Sequence, residues 1–269
     1  MREAFLHMVV VFAFTMTCSA DLIGYWTFDG NGLDGSGNSN DGNVGGSVSF
    51  DADVPTQLAG GQSIRGTAVN GSAGLVQVPN SSSLETLKDT MTVSFWVKAD
   101  WTSNANWVRL MRRGAEVSDT ENAWIINRFN NNSDVLIRLD TEGGGGSFNQ
   151  NRGGGAGPLV DNQWHHMTYV LDNGSVEEYV DGANTFTGSY PHGMGFGNSS
   201  ELLILGRGNG NLDGWMDEVA IWNEPLDANR VLQLSQGVPA NMLIPEPSTV
   251  VLVLFGVGCL SLRAARFSR

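Results

Sequence analysis

Cysteine is almost missing from this chain. Cys18 and Cys259 are the only two thiols among 269 residues, and both sit in apolar runs near the ends, so no disulfide can staple the middle. A domain of about 200 residues buries enough apolar surface to fold without one, even when exported. Positive charge is scarce too. The chain has 15 Lys and Arg against 28 Asp and Glu, a formal net charge of -13. Setting aside Arg2, Glu3, Arg263, Arg266 and Arg269 at the two ends leaves 11 basic and 27 acidic residues, or -16. Nucleic acid is thereby excluded as a partner, because its phosphates have to be neutralised by clustered Lys and Arg. An acidic surface suits solubility and divalent cations instead. Neither apolar run reaches the roughly 20 residues of a comfortable bilayer span. No glycine run is followed by the Lys-Ser/Thr of a phosphate loop, and no serine-nucleophile motif or metal-type histidine spacing occurs.

What is abundant is glycine, 35 residues against 8 prolines, much of it in Gly-Asn, Asn-Gly and Asp-Gly pairs that mark frequent chain reversals. The clearest stretch runs from Trp164 to Gly182. Trp164, His166, Thr168 and Val170 fall on one side of a strand, and His165, Met167, Tyr169 and Leu171 on the other. Asp172-Asn173-Gly174 offers a tight hairpin turn. Val176, Glu178 and Val180 line one face of the return strand, and Asp181-Gly182 turns the chain again. His165 and His166 fit strand packing better than chemistry.

At the N-terminus Arg2 and the apolar run Phe5 to Thr17 precede Cys18-Ser19-Ala20, a pattern signal peptidase accepts, so residues 1–20 read as a signal peptide. An aromatic strand, Asp21 to Asp29, leads into the loop Gly30 to Asn38. Its Asp, Asn and Gly residues could supply carboxylate and carbonyl oxygens to a hard cation, or could equally cap their own turns. Gly74 to Pro79 and Met91 to Ala99 read as strands. In the second, Met91, Val93, Phe95, Val97 and Ala99 face one way and Thr92, Ser94, Trp96 and Lys98 the other, a half-buried pattern. Trp101, Trp107 and Asn130 to Asn132 stand in irregular polar stretches where indoles and amides could meet a sugar, although core packing is the commoner use of an indole.

Gly143 to Gly157 reads as a long loop. Glu201 to Gly206 is a short apolar strand. In Gly214 to Trp222 strict alternation puts Trp215, Asp217, Val219 and Ile221 opposite Met216, Glu218, Ala220 and Trp222, and leaves Asp217 in need of a partner or a cation. Leu226 to Leu234 is the one helical candidate. Pro245-Glu246-Pro247 then introduces the apolar run Val250 to Leu262, which Ser248, Thr249 and the terminal arginines can extend across a membrane with the C-terminus in the cytoplasm.

Three groups of residues resemble the laminin-G-like, concanavalin A-type jelly-roll family. They are Gly24 to Asp29 with its Asp-Gly-Ser-Gly-Asn loop, Val78-Pro79 through Val93 to Lys98 with Trp164 to Gly182, and Leu205-Gly206-Arg207 through Asp217-Glu218-Val219 and Pro225-Leu226. The resemblance spans Leu22 to Gln236 and implies an all-β fold, an antiparallel two-sheet jelly-roll sandwich. Residues 21–240 would form this domain, with a signal helix before it and a transmembrane helix after it. Residues 241–269 resemble a PEP-CTERM sorting tail, implying export, brief anchoring by the C-terminal helix, processing near Pro245, Glu246 and Pro247 by an exosortase-type protease, and a cell-surface or extracellular location. The family often carries a structural calcium ion, which maps onto Asp29 and Asp217, with Asp34 beside them.

The fold hosts binders and enzymes alike. Hydrolases of this architecture place their acids as E-x-D-x-x-E or E-x-D-x-E, and neither pattern occurs. Adjacent acids such as Glu177-Glu178 and Asp217-Glu218 point to opposite faces of a strand and cannot form a catalytic pair. The expectation is therefore a non-catalytic binding module for polysaccharide or surface glycan, with Trp101, Trp107, Asn130, Asn131 and Asn132 as contacts. A structural adhesion protein that engages a matrix protein is the alternative, and a glycoside hydrolase or polysaccharide lyase ranks third.

Overall fold

Period-two alternation makes these residues strands, and the computed structural model shows how the strands are layered. It describes residues 21–67, 75–99, 108–114, 123–128, 135–140, 147–149, 161–190, 201–205 and 212–243, all within one compact unit, Ala20–Leu243. In chain order the first strands are β1 (Leu22–Trp26), β2 (Asn43–Val44), β3 (Ser49–Asp51), β4 (Ser63–Gly66), β5 (Val76–Val78) and β6 (Thr90–Ala99). Next come β7 (Arg109–Arg113), β8 (Ala123–Arg128), β9 (Val135–Asp140) and β10 (Ser147–Asn149). The series ends with β11 (His165–Asp172), β12 (Ser175–Val180), β13 (Ala183–Ser189), β14 (Leu202–Ile204), β15 (Gly214–Trp222) and a single regular α-helix among the described residues, α1 (Ala228–Ser235).

Among the described residues the strands form two antiparallel sheets. One has eight strands in the order β13-β12-β11-β6-β15-β4-β3, with β1 also paired to β15; the other has seven, β10-β9-β8-β7-β14-β5-β2. The all-β two-sheet sandwich expected from the sequence is what is found. Its main core lies between the sheets and takes Met91, Val93, Phe95, Val97 and Ala99 from β6, Met167, Tyr169 and Leu171 from β11, and Trp124, Ile126, Ile137 and Leu139 from the facing sheet. A second apolar cluster lies on the outer face of the eight-stranded sheet, where Val231 and Leu234 of α1 pack with Tyr25, Val170, Tyr179, Ala220 and Trp222. Asp227 caps this helix by accepting from the Asn229 and Arg230 N–H groups.

The structure corrects three readings. Strict alternation fails in β15, which spends one residue more than β6 between the pairs Asp217↔Trp96 and Ala220↔Ser94, with Glu218 at φ 49°. This bulge shifts the phase, so Met216, Val219 and Ile221 all enter the main core. Second, the stretch read as a glycine-rich loop contains β10, paired with β9 from Ser147↔Asp140 to Asn149↔Arg138. Third, the polar stretch after β6, read as irregular, ends in β7, whose Arg-Leu-Met-Arg-Arg sequence, with Arg113 fully buried, shows no apolar alternation. Among the described residues no helix is long and apolar enough to cross a membrane. Residues 1–20 and 244–269, with the expected signal and transmembrane helices and the Pro245, Glu246 and Pro247 signal, lie outside the described residues.

The turn at Asp181-Gly182 is where the hairpin meets the helix. Gly182 has φ 80°, and a Cβ there would stand 2.5 Å from Ser235 Oγ and 2.9 Å from Leu232 Cδ1. Gly182→Ala is therefore expected to cost about 2 kcal/mol through strain and overpacking. In thermal melts it should lower the transition by several degrees, whereas Gly46→Ala, which meets nothing within 4 Å, should leave it unchanged.

Candidate functional site

The outer face of the eight-stranded sheet changes character along its length. Under α1 it is apolar. In the middle it is polar and buried, with Thr92, Ser94, Thr168, His166 and Asp217 closed off from solvent. At the far end it opens into a row that crosses the strands in register, Lys98↔Trp215 and Trp215↔Arg65. Trp164, one residue before the pair His165↔Val97, continues the row beside Lys98. Of the described tryptophans, Trp26, Trp96, Trp124 and Trp222 are buried, whereas Trp164 and Trp215 are only partly buried. Both members that reach solvent thus stand in this row.

Charge is interleaved with the rings. Arg65 Cζ lies 4.5 Å and Lys98 Nζ 5.2 Å from the Trp215 ring centroid, so the indole takes cations from both flanking strands. Arg65 pairs with Asp213 at 3.2 Å. The chain linking β3 to β4, residues 52–62, forms a strap over this end of the face. Asp53 accepts from Lys98 Nζ at 2.6 Å and from Trp164 Nε1 at 2.8 Å, and Asp51 accepts from Trp215 Nε1 at 3.3 Å. The Asp53 backbone N–H first, then the Trp215 indole, hold the Asp51 carboxyl below the ordinary carboxylate range.

A second cluster collects at the β15 bulge. Asp217 is buried and accepts from the Glu218 N–H at 2.9 Å. Burial pushes its carboxyl up to about 8, and the negative charges of Glu218 and Asp29 act in the same direction. Glu218 is also raised by burial, and the Tyr25 hydroxyl that donates to its Oε2 opposes that rise. Asp29 accepts from Gln62 N–H at 2.7 Å and lies against Gly61, where a Cβ would meet its Oδ1 at 2.3 Å.

These three acids bring hard oxygen donors together, which is chemistry that fits calcium. Among the described residues, however, no group of three or more His, Cys, Asp or Glu side chains is arranged to hold a metal ion, and Glu218 is turned to Tyr25. Asp34, grouped with the cation ligands in the sequence reading, is occupied otherwise. Its Oδ1 accepts from the Tyr25 and Ser36 N–H groups and its Oδ2 from Ser36 Oγ and Asn40 N–H. It organises its own loop, the turn-capping role that was open from the sequence.

The two histidines part company. His166 lies on the outer face, edge-on to Trp96 at 5.1 Å, with Nε2 2.8 Å from Ser94 Oγ. Burial pushes it down to about 3, so it stays neutral. Its Nδ1 has no partner among the described residues. His165 points to the inner face at the end of the sandwich, where Asp181 lies 2.8 Å from Nδ1 and Asp161 3.1 Å from Nε2. The Asp181 hydrogen bond, with Asp161 adding to it, raises its pKa against the opposing effect of burial. Trp101, Trp107, Asn130, Asn131 and Asn132 lie outside the described residues.

Residues 70–232, more than half of the chain, match the family model described as the concanavalin A-like lectin/glucanases superfamily, in its Laminin_G_3 branch. The chain belongs to that superfamily. A comparison with curated protein sequences gave no match. Solved structures of similar fold include domain 4 of AbnA, a GH43 extracellular arabinanase from Geobacillus stearothermophilus, in complex with arabinotriose. It is 19% identical at a TM-score of 0.61, covering 80% of this chain and 98% of that one. The binding domain of Paraclostridial Mosquitocidal Protein 1 is 16% identical at a TM-score of 0.61, over 80% of this chain and 52% of the other. That of Botulinum Neurotoxin DC in complex with SialylT is 16% identical at 0.60, over 80% and 51%. This chain thus spans about half the length of the two toxin domains. At these identities the likeness shows the superfamily fold.

The His165 geometry sets a sign. Its folded pKa is raised above the unfolded value of about 6.5, so its stabilising contribution is complete below that value and is lost as pH rises through the folded pKa. Chemical denaturation of wild type and His165→Asn should show the largest stability difference near pH 5–6 and a shrinking one towards pH 8. A pH-independent difference would remove the ionic role.

Proposed function

We propose that the chain is an exported, non-catalytic module that binds carbohydrate at the cell surface or in the extracellular matrix. The observation that carries the reading is the Trp164–Lys98–Trp215–Arg65 row, in which partly exposed indoles alternate with hydrogen-bonding charged groups on a sheet face. Such a surface suits sugar rings and hydroxyls better than the broad apolar patch a protein partner would favour. Domain 4 of AbnA, of the same fold, is seen with arabinotriose, which supports a saccharide as the ligand class. Trp101, Trp107 and Asn130 to Asn132 are proposed as further contacts.

A binding role also accords with where the acids stand. Glu177 accepts from Tyr179 Oη at 2.5 Å, and the fully buried Glu178 accepts from Thr185 Oγ1 at 2.8 Å. Each is committed to strand packing, and neither is placed to share a glycosidic bond with the other. Calcium is proposed as a structural ion on Asp29 and Asp217, with backbone carbonyls and water completing the six to eight oxygens it takes. Export by residues 1–20, and transient membrane anchoring with exosortase-type processing at the Pro245-Glu246-Pro247 tail, belong to the same proposal.

Two measurements test this. Affinity electrophoresis against neutral and acidic polysaccharides should detect binding that Trp215→Ala and Trp164→Ala each weaken about tenfold or more while circular dichroism stays unchanged. Retained affinity in both variants, or binding only to protein partners, would turn the reading against sugar. For the ion, calcium should raise the melting temperature of wild type, and Asp217→Asn should abolish that rise. A melting temperature indifferent to calcium and chelator sinks the metal proposal.

A further inference from the structure

The donors of the row are already taken, and what takes them is informative. Lys98 Nζ and Trp164 Nε1 converge on the two oxygens of a single carboxylate, Asp53 Oδ2 at 2.6 Å and Oδ1 at 2.8 Å. Two residues earlier, at the end of β3 where the strap begins, Asp51 Oδ2 takes the Trp215 indole N–H at 3.3 Å, while Arg65 stands on that ring and is held by Asp213. A cation and an indole N–H aimed at one carboxylate make a charge-assisted receptor, and it is oriented across strands β11 and β6 rather than along one element. The occupant comes from a segment that is mostly exposed, with Gly237 of the stretch after α1 lying close against its Gln57. Within residues 52–62 only Pro55 is buried. Beyond the carboxylates the strap is fixed by Ser63 Oγ donating to Asp53 O at 2.6 Å, by the Asp53 N–H donating to Asp51 Oδ1 at 3.0 Å and by Gln62 N–H donating to Asp29 at 2.7 Å. It returns to β4 through Gly60 and Gly61, both left-handed at φ 115° and 108°, a conformation that glycine enters and leaves without a side-chain penalty.

We propose that this row is a binding site for carboxylate-bearing saccharides, and that the carboxylates of Asp53 in the strap and of Asp51 at the end of β3 occupy it as internal competitors which a polyuronate chain displaces. The proposal rests on the reading of the row as the glycan site and adds the class of sugar. A uronate carboxylate would repeat the two contacts of Asp53 on Lys98 and Trp164, and the next uronate along the chain would meet Trp215 and Arg65. A tethered competitor acts at an effective concentration of about millimolar, so isolated uronates lose to it and a multivalent chain wins. The binding-competent fraction sets the apparent affinity. If the strap is closed in about nine of ten molecules, opening it tightens binding about tenfold.

The test compares wild type with Asp51→Asn/Asp53→Asn by calorimetry, using hexagalacturonate and its fully methyl-esterified form as probes. A charge-matched control, Asp21→Asn/Asp172→Asn, removes the same two charges at exposed positions away from the row. The double strap variant should bind hexagalacturonate about tenfold tighter than wild type, the control should not, the methyl ester should show no gain, and Lys98→Met added to the strap variant should erase it. Should the double variant fail to fold, Asp53→Asn alone, which keeps the side chain's shape, should show the same direction. An equal gain in the control, or an equal gain for the methyl ester, overturns the proposal in favour of bulk charge. No gain, with neutral glycan still lost in Trp215→Ala, overturns it while leaving the sugar reading intact. Absence of glycan binding in every variant overturns both.

Discussion

Strand β15 has to satisfy three neighbours. Along one edge it bonds to β6, and its other edge is divided between β4, from Gly214 to Met216, and β1, from Val219 to Trp222. The extra residue at Asp217–Glu218 falls at the changeover, and the left-handed backbone of Glu218 is the strain this requires. Without the bulge, a strand that sends Met216 into the core would turn Val219 and Ile221 out of it and would bring Ala220 and Trp222 in. With it, the strand feeds the inter-sheet core at both ends and still gives Trp222 to the cluster beneath α1. The price is a pair of acids set beside Asp29 at the one irregular point of the sheet, where burial makes their ionisation unfavourable.

The same sheet is covered on both faces by different means. Its inner face meets the seven-stranded sheet, the ordinary arrangement of a sandwich. Its outer face is shared between α1, which seals the apolar end, and the β3–β4 strap, which crosses the polar end. Gly237 is pressed so closely on the strap that a Cβ would come within 2.3 Å of Gln57 O, so the segment after the helix and the strap meet over the face. Between them lie His166, kept neutral, and Trp96 packed edge-on against it. The cover over the row from Trp164 to Arg65 is partial, so among the described tryptophans Trp164 and Trp215 reach solvent there, while Trp96 and Trp222 are sealed on the same face and Trp26 and Trp124 in the inter-sheet core.

Much of the architecture was legible because it rests on local period. The facing of β6 and of the β11–β12 hairpin and the Asn173-Gly174 turn at φ 45° and 98° follow from alternation and turn chemistry, and the final helix, which starts two residues later than its apolar spacing suggested, from helical period. Legibility stopped where position depends on partners far along the chain. No local rule gives the extra residue in β15, because its cause is the exchange of β4 for β1. Strand β7 carries three arginines and so gave no apolar pattern. Asp34 is indistinguishable by composition from a cation ligand, and only the four donors converging on it decide its role. The candidate row was half visible, since alternation already put Lys98 with Thr92, Ser94 and Trp96 on one side of its strand and Trp164 with His166 on one side of another. Their meeting with Trp215 and Arg65 depends on cross-strand register, which one sequence does not state. Trp101, Trp107 and Asn130 to Asn132, the contacts that composition suggested, lie outside the described residues.

Sugar held on the Trp164–Lys98–Trp215–Arg65 row, as proposed, would lie directly against two indoles. Each indole N–H reports its own surroundings in a nitrogen–proton correlation spectrum, so the tryptophans form a built-in map of the molecule. On titration with a bound oligosaccharide the Trp164 and Trp215 indole signals should move together and saturate at one dissociation constant, while those of Trp26, Trp124 and Trp222 stay fixed. Saturable shifts confined to other residues, with Trp164 and Trp215 unmoved, would contradict the claim.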